Sequence, residues 1–183
     1  MQPTADTYYR GSGKAPVAGV LAGLVFGLVT AVVTAFIYAN LLVHIPIAGY
    51  ITFLFAGGFG FCIAFAANMG LHLGKVRNRG VSAAVILAAA GVGFYMSWVA
   101  WVHALLNKSG VQIGLGDIVA PADLWTWITG INETGAWTMF GSTPSGGMLW
   151  FLWIVEAGII FGSVYVFGGI GAAAPPFCEG CNA

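Results

Sequence analysis

Four long apolar segments constrain the fold of this chain more than any other feature of its sequence. They run approximately over Val17–Asn40, Ile47–Leu71, Val81–Leu106 and Met148–Ile170. Each reaches the length of about 20 residues that an α-helix needs to cross a bilayer. Only 7% of the residues are charged and the mean hydropathy is +0.90, whereas soluble domains carry roughly 25% charged residues. The sequence therefore predicts an all-α integral membrane protein, a bundle of four transmembrane helices.

These segments divide the chain into five parts. The expected parts are an N-terminal segment 1–16, three spans within 17–106, a connecting segment 107–147, a fourth span 148–170 and a tail 171–183. The first apolar segment is far longer than the roughly 7–15 apolar residues of a signal peptide, and a polar stretch precedes it. We therefore interpret it as an uncleaved span.

The basic residues predict the orientation of the spans. Five of the six Lys and Arg residues precede the first span or lie between the second and third, namely Arg10, Lys14, Lys75, Arg77 and Arg79. Four spans place these two stretches on one face, and cytoplasmic loops carry an excess of Lys and Arg. Both termini are therefore predicted to be cytoplasmic, and 107–147 is predicted to be external.

The tryptophans all fall toward the predicted external side. They are Trp98, Trp101, Trp125, Trp127, Trp137, Trp150 and Trp153. Tryptophan favours the headgroup level because its ring is apolar and its N–H is polar. We expect an external Trp-rich interfacial segment folded down over the third and fourth spans, with a short helix at Asp123–Ile128 preceded by Pro121. An anchored cap is the preferred interpretation, and a platform for a ligand or partner is the alternative.

Glu156 is a carboxyl group near the middle of the fourth span. An ionised side chain at that depth costs about 3 kcal/mol on insertion scales, so it needs a partner, a proton or water. Depths measured from the span midpoints give possible hydroxyl partners, namely Thr30, Thr34, Tyr95 and Ser97. The preferred interpretation is a neutral Glu156 in a structural hydrogen-bond network. The alternatives are a proton or cation site, or pairing with another subunit.

Small residues mark two candidate packing faces. Gly19, Gly23 and Gly27 share one face of the first span with Thr30, Thr34 and Tyr38, and Gly158 and Gly162 repeat the spacing in the fourth. Small residues four apart let helix backbones approach closely. Helix packing is therefore expected at these glycines, and a bound lipid or pigment in such a groove is the second interpretation.

Two patterns raise the possibility of a metal or haem. Cys178 and Cys181 form a C-x-x-C pair in the tail, which supplies half of a four-cysteine zinc site, and Cys62 lies too far away in the second span to complete it. A redox-active pair is the rival interpretation. His44 and His103, on separate spans, could ligate haem axially. Their position near the predicted external surface favours interfacial hydrogen bonding over haem.

The expected function follows from these features. Net charge is zero, which gives no argument for a nucleic-acid partner, and no nucleophile–base set, P-loop or dinucleotide fingerprint is present. The leading hypothesis is a non-catalytic integral membrane subunit, in contact with membrane lipids and packed against other membrane subunits or a second copy. The alternatives are a small transporter or channel component that uses Glu156, and a membrane redox or zinc-binding protein that uses Cys178 and Cys181.

Overall fold

The structure is a computed structural model that describes residues 13–45, 50–135 and 143–170. Within these ranges the chain is helical and has no strand. The elements are α1 (Val17–His44), α2 (Tyr50–Leu73), α3 (Arg79–Lys108), a 3-10 turn (Leu115–Asp117), α4 (Pro121–Thr134) and α5 (Gly146–Phe167). Helices α1, α2, α3 and α5 are long and apolar enough to cross a membrane. The prediction of four such helices is confirmed, and it suggests a membrane protein.

The helix ends differ from the limits of the apolar segments. Helix α1 continues past Asn40 to His44, because the Asn40 side chain donates to the Phe36 carbonyl at 2.8 Å and does not interrupt the helix. Helix α4 covers Pro121–Thr134, which is longer than the expected Asp123–Ile128. It begins with Pro121, whose missing N–H is tolerated in the first turn.

Glycines bring α1 into close contact with α2 and α3. A Cβ added to Gly27 would lie 2.9 Å from the Cβ of Ala89 in α3 and 3.1 Å from that of Ala67 in α2. A Cβ on Gly19 would lie 2.4 Å from the carbonyl oxygen of Gly74. Such close approach between helices is what small residues permit. The buried face of α1 therefore packs between α2 and α3.

Helix α5 packs mainly on α2, and aromatic side chains fill the wider space between α5 and α3. A Cβ on Gly60 of α2 would lie 2.5 Å from the carbonyl oxygen of Ile160. On the α3 side, the ring centroids of Phe94 and Phe161 are 5.4 Å apart. Helix α5 therefore lies close to α2, where glycine forms the contact, and farther from α3, where aromatic rings form it.

The two ends of the bundle differ in chemistry. The basic end carries Lys14 and the α2–α3 connection, with Lys75, Arg77 and Arg79. The tryptophan end is where α1 and α3 end and α5 begins. There the Lys108 amine donates to the Val43 carbonyl at 2.5 Å, a favourable place for a cation because helix C-termini carry partial negative charge.

Helix α4 covers the tryptophan end. It packs between the outer parts of α3 and α5, with Leu124 and Ile128 buried. The buried Asn132 amide donates to the Gly146 carbonyl at 3.0 Å, which joins α4 to the first residue of α5.

Candidate functional site

Glu156 lies near the middle of α5, on the side that faces the bundle, and its side chain is partly buried. Its carboxyl oxygen Oε1 accepts a hydrogen bond from the hydroxyl of Tyr38 in α1. The two residues are far apart in the chain, so only tertiary packing brings them together. This carboxyl–phenol pair joins α1 to α5 within the bundle.

The ring of Tyr38 is held on its other side by α2. Tyr38 is only 5% exposed, and its ring stacks on that of Phe59 with centroids 5.1 Å apart and planes 3° from parallel. Stacking against a neighbouring helix restricts the ring, so the hydroxyl is positioned before it meets the carboxyl group. Three helices therefore contribute to the pair: α1 the donor, α2 the support and α5 the acceptor.

The chemistry of the pair is that of a hydrogen bond shielded from water. A hydrogen bond is electrostatically stronger in a low-dielectric interior than in water, and an unpaired polar group there is correspondingly costly. The phenol satisfies one oxygen of the carboxyl group whether that group is charged or neutral, because a protonated carboxyl retains acceptor capacity. The pair can therefore act as a structural link, and it can also hold a proton.

Three of the four hydroxyl groups predicted as partners of Glu156 donate to backbone carbonyls instead. Thr34 donates to the Thr30 carbonyl at 2.6 Å, Tyr95 to the Val119 carbonyl at 2.5 Å and Ser97 to the Phe94 carbonyl at 2.8 Å. The carboxyl partner is Tyr38 instead. Tyr38 shares the predicted packing face of the first span with Gly19, Gly23 and Gly27, and this position is the sequence signal that could have identified it.

The tryptophans meet in one contact network at the tryptophan end. Trp153 lies at its centre, with ring centroids 4.9 Å from Trp98, 5.1 Å from Trp150 and 6.0 Å from Trp101. All three contacts are close to edge-to-face, an arrangement worth about 0.5–1.5 kcal/mol per pair beyond area burial. The outermost member, Trp125, contacts Trp150 at 5.6 Å and is 58% exposed. Trp127 packs against the hydrophobic core cluster that includes Trp101 and Trp153, and Trp137 lies outside the described residues.

The glycines of α5 differ from those of α1 in their surroundings. Gly19, Gly23 and Gly27 are buried, whereas Gly158 and Gly162 are exposed. A Cβ added at either of the α5 positions would meet nothing within 4 Å in the described chain. Within the described ranges, no residue packs against Gly158 or Gly162.

The candidate metal residues stand apart from one another. His44 lies on exposed α1 surface, with Nδ1 3.0 Å from the Asn40 carbonyl oxygen, and His103 lies on α3. Cys62 is a partly buried free thiol of α2, whereas Cys178 and Cys181 lie outside the described residues. In the described ranges, no three His, Cys, Asp or Glu residues form a group that could hold a metal ion.

Comparison of the chain with protein-family models, with curated proteins and with solved structures finds no match in any of the three.

Proposed function

We propose that this chain is a non-catalytic integral membrane subunit that packs against other transmembrane helices in a larger membrane assembly. The observation that carries the proposal is the bond between Tyr38 and Glu156. A carboxyl group in the middle of a transmembrane span carries a free-energy cost of insertion. Here it ties α5, which packs mainly on α2, to α1, which packs between α2 and α3. This use of Glu156 supports a scaffold in which a carboxyl group within the bundle links two helices.

The outward face of α5 supports the presence of a partner. Gly158 and Gly162 have no side chains, so the backbone of α5 is open to close approach on that face. Phe151 and Ile154 are exposed on the same helix. In lipid, helices associate through van der Waals packing of closely approaching backbones, which small residues favour. A transmembrane helix of another subunit, or of a second copy, would fit against this face.

The proposed orientation places the basic end in the cytoplasm and the tryptophan end outside. The support is the distribution of Lys and Arg, because positively charged loops remain cytoplasmic. Both termini are then cytoplasmic, and the α3–α5 connection is external.

A small transporter or channel component is the second candidate. It is favoured by the position of Glu156 near the middle of α5, where its carboxyl group is hydrogen-bonded to a second titratable group, that of Tyr38. Intramembrane carboxyl groups recur in proton relays and ion pathways. In this role the Tyr38–Glu156 bond would open and close as Glu156 exchanged its proton.

Substitution of Glu156 separates the two candidates. Glu156→Gln keeps the volume and an oxygen acceptor for Tyr38, so a structural role predicts normal assembly. Glu156→Leu removes the acceptor and should destabilise the protein by about 1–3 kcal/mol, the cost of an unsatisfied buried polar group. The matched control is Glu133→Gln, which makes the same change at an exposed position of α4.

The two readouts are co-purification of partner chains in mild detergent and flux of protons or cations in vesicles. The subunit proposal expects Glu156→Gln to match Glu133→Gln in both. Loss of flux in a fully assembled Glu156→Gln protein would replace the subunit proposal with the transporter.

The partner face is tested by Gly158→Leu, since the added side chain would separate α5 from a neighbouring helix. Gly91→Leu is the matched control, because Gly91 of α3 also faces open space. We expect Gly158→Leu to lose a co-purifying chain, or the dimer if the partner is a second copy, while Gly91→Leu retains it. Full retention by Gly158→Leu would contradict the assignment of this face.

A further inference from the structure

The basic end of the bundle concentrates positive charge from two separate parts of the chain. Among the described residues it carries four basic side chains, namely Lys14, Lys75, Arg77 and Arg79. The Arg77 N–H donates to the Lys14 carbonyl at 2.8 Å, and the Asn78 side chain donates to the Gly13 carbonyl at 3.2 Å. These two bonds hold the segment before α1 against the connection between α2 and α3. The cations of the two segments therefore lie close together.

Acidic residues do not balance this charge. The net charge of the whole chain is zero, but three of its six acidic residues belong to the α3–α5 connection at the opposite end, and a fourth is Glu156. The other two are Asp6 and Glu179, in the terminal segments of the sequence. With both counted at the basic end, five Lys and Arg residues stand against two Asp and Glu residues. The excess of positive charge therefore does not depend on which ion pairs the individual side chains form.

The start of α3 adds to the positive potential at this end. A helix N-terminus carries partial positive charge and favours anions. The first residue of α3 is instead Arg79, and its first turn has no acidic residue. The preference for basic cytoplasmic loops requires neither a cation at this helix end nor the joining of two basic segments. An anion bound here would offset the repulsion that both features create.

The lengths of the helices place these cations at the level of phospholipid headgroups. Helices α1, α2 and α3 contain 28, 24 and 30 residues, which correspond to about 42, 36 and 45 Å. The hydrocarbon layer is about 30 Å thick, and the bilayer with its headgroups is about 40–45 Å thick. A helix of such a length, centred in the bilayer, ends about 3–8 Å beyond the hydrocarbon layer. The basic residues beside these helix ends therefore lie among the headgroups.

Exposed apolar side chains adjoin the cations. Val17, the first residue of α1, is 74% exposed, and Leu73, the last residue of α2, is 65% exposed. They lie three residues after Lys14 and two residues before Lys75. A free phosphate ion would contact the cations alone, whereas a phospholipid would also lay its acyl chains against the apolar surface. The combination favours a lipid over a soluble anion.

We propose that the basic end binds the phosphate headgroup of an anionic phospholipid, with Lys14 and Arg79 as contact residues and the acyl chains alongside α1 and α2. Clusters of four or more Lys and Arg residues next to transmembrane helices attract anionic lipids through the same electrostatics. This inference rests on the proposed crossing of the membrane by α1, α2 and α3. It holds for either orientation of the bundle, because both faces of a bilayer carry headgroups.

The test compares the association of spin-labelled phosphatidylglycerol and spin-labelled phosphatidylcholine with the full chain in phosphatidylcholine bilayers. Electron paramagnetic resonance separates the motionally restricted lipids that contact transmembrane helices from the bulk lipids, which gives the ratio of the two association constants. The double variant Lys14→Gln/Arg79→Gln removes two exposed charges. The matched control, Lys14→Arg/Arg79→Lys, keeps both charges at the same positions. Neither pair of substitutions alters a buried contact, and the free energy of unfolding of each variant is measured as a check.

We expect the native chain and the charge-conserving control to prefer phosphatidylglycerol several-fold, and the Gln variant to lose most of that preference. Salt should weaken the preference, because it screens exposed charges. Equal association of both lipids with the native chain, or retention of most of the preference by the Gln variant, would overturn the headgroup site alone. Loss of the preference when inorganic phosphate is added at constant ionic strength would overturn it in favour of a soluble phosphate. The absence of motionally restricted lipid of either kind would overturn the membrane crossing itself.

Discussion

Gly70 is the position at which the contact between α1 and α2 can be tested most directly. It lies buried within α2. A Cβ added there would lie 2.6 Å from the carbonyl oxygen of Ala22 and 2.7 Å from the Cα of Gly23. Ordinary contacts begin at 3.4 Å, so Gly70→Ala requires the two helices to move apart locally by about 0.8 Å. The obstructing atoms are backbone, and no side-chain rotation can relieve the overlap.

The expected change in the stability of Gly70→Ala is the sum of two opposing effects. Overpacking of a close contact costs about 1–3 kcal/mol. Replacing glycine by alanine within a helix gains roughly 0.5–1 kcal/mol through backbone entropy. Gly91→Ala, in open space on α3, receives the gain without the overlap. The difference between the two variants isolates the overlap, so we expect Gly70→Ala to be less stable than Gly91→Ala by about 1–3 kcal/mol.

The assay is reversible unfolding in mixed micelles with an increasing fraction of denaturing detergent, followed by tryptophan fluorescence. Gly23→Ala provides an intermediate case, because its added Cβ would meet side-chain atoms of Leu71 at 2.7 and 2.8 Å. A flexible side chain can yield, so the expected order of stability is Gly91→Ala, then Gly23→Ala, then Gly70→Ala. Equal free energies of unfolding for Gly70→Ala and Gly91→Ala would refute the close contact between α1 and α2.

Three further predictions concern the bundle and its orientation. Tyr38→Phe keeps the ring and removes the donor to Glu156, so we expect a loss of about 1–3 kcal/mol in the same unfolding assay; a loss that simply adds to that of Glu156→Leu would contradict a direct bond. Asn78→Ala removes the side chain that caps α3, which should cost about 0.5–2 kcal/mol, whereas Asn78→Asp should retain most of the stability; equal loss in both variants would argue against capping. Single cysteines at Ser109 and Ser145 should react with an impermeant maleimide applied outside intact cells, and reaction only after lysis would reverse the proposed orientation.

The four long apolar helices were predictable because an apolar segment of this length has one main physical meaning in a chain with so few charges. The ends were less predictable, because hydropathy reports which side chains prefer lipid and not where the backbone stops being helical. Lys108 illustrates the difference: it lies beyond the predicted third span, yet it belongs to α3. Its amine donates to a carbonyl group at the end of α1. This charged residue therefore links the ends of α1 and α3, and α3 does not end before it.

The glycine patterns also show a limit of prediction from sequence. Gly27 and Gly158 belong to the same kind of four-residue glycine pattern. An added Cβ at Gly27 would meet two helices, whereas one at Gly158 would meet nothing within 4 Å among the described residues. Spacing identifies a face on which backbones can approach, but it does not identify the neighbour. Gly60 was not part of a predicted pattern. It nevertheless lies against the carbonyl oxygen of Ile160 in the contact between α2 and α5.

The sequence by itself determined that Glu156 would need a partner, because an isolated carboxyl group within an apolar run cannot be left unsatisfied. Only the tertiary structure decided that the partner is Tyr38. Midpoint alignment assumes that spans are centred on one plane, whereas the actual register is set where glycine and alanine let backbones touch, as at Gly27 and Ala89. Helix register is a property of these contacts between segments, and no single segment contains it.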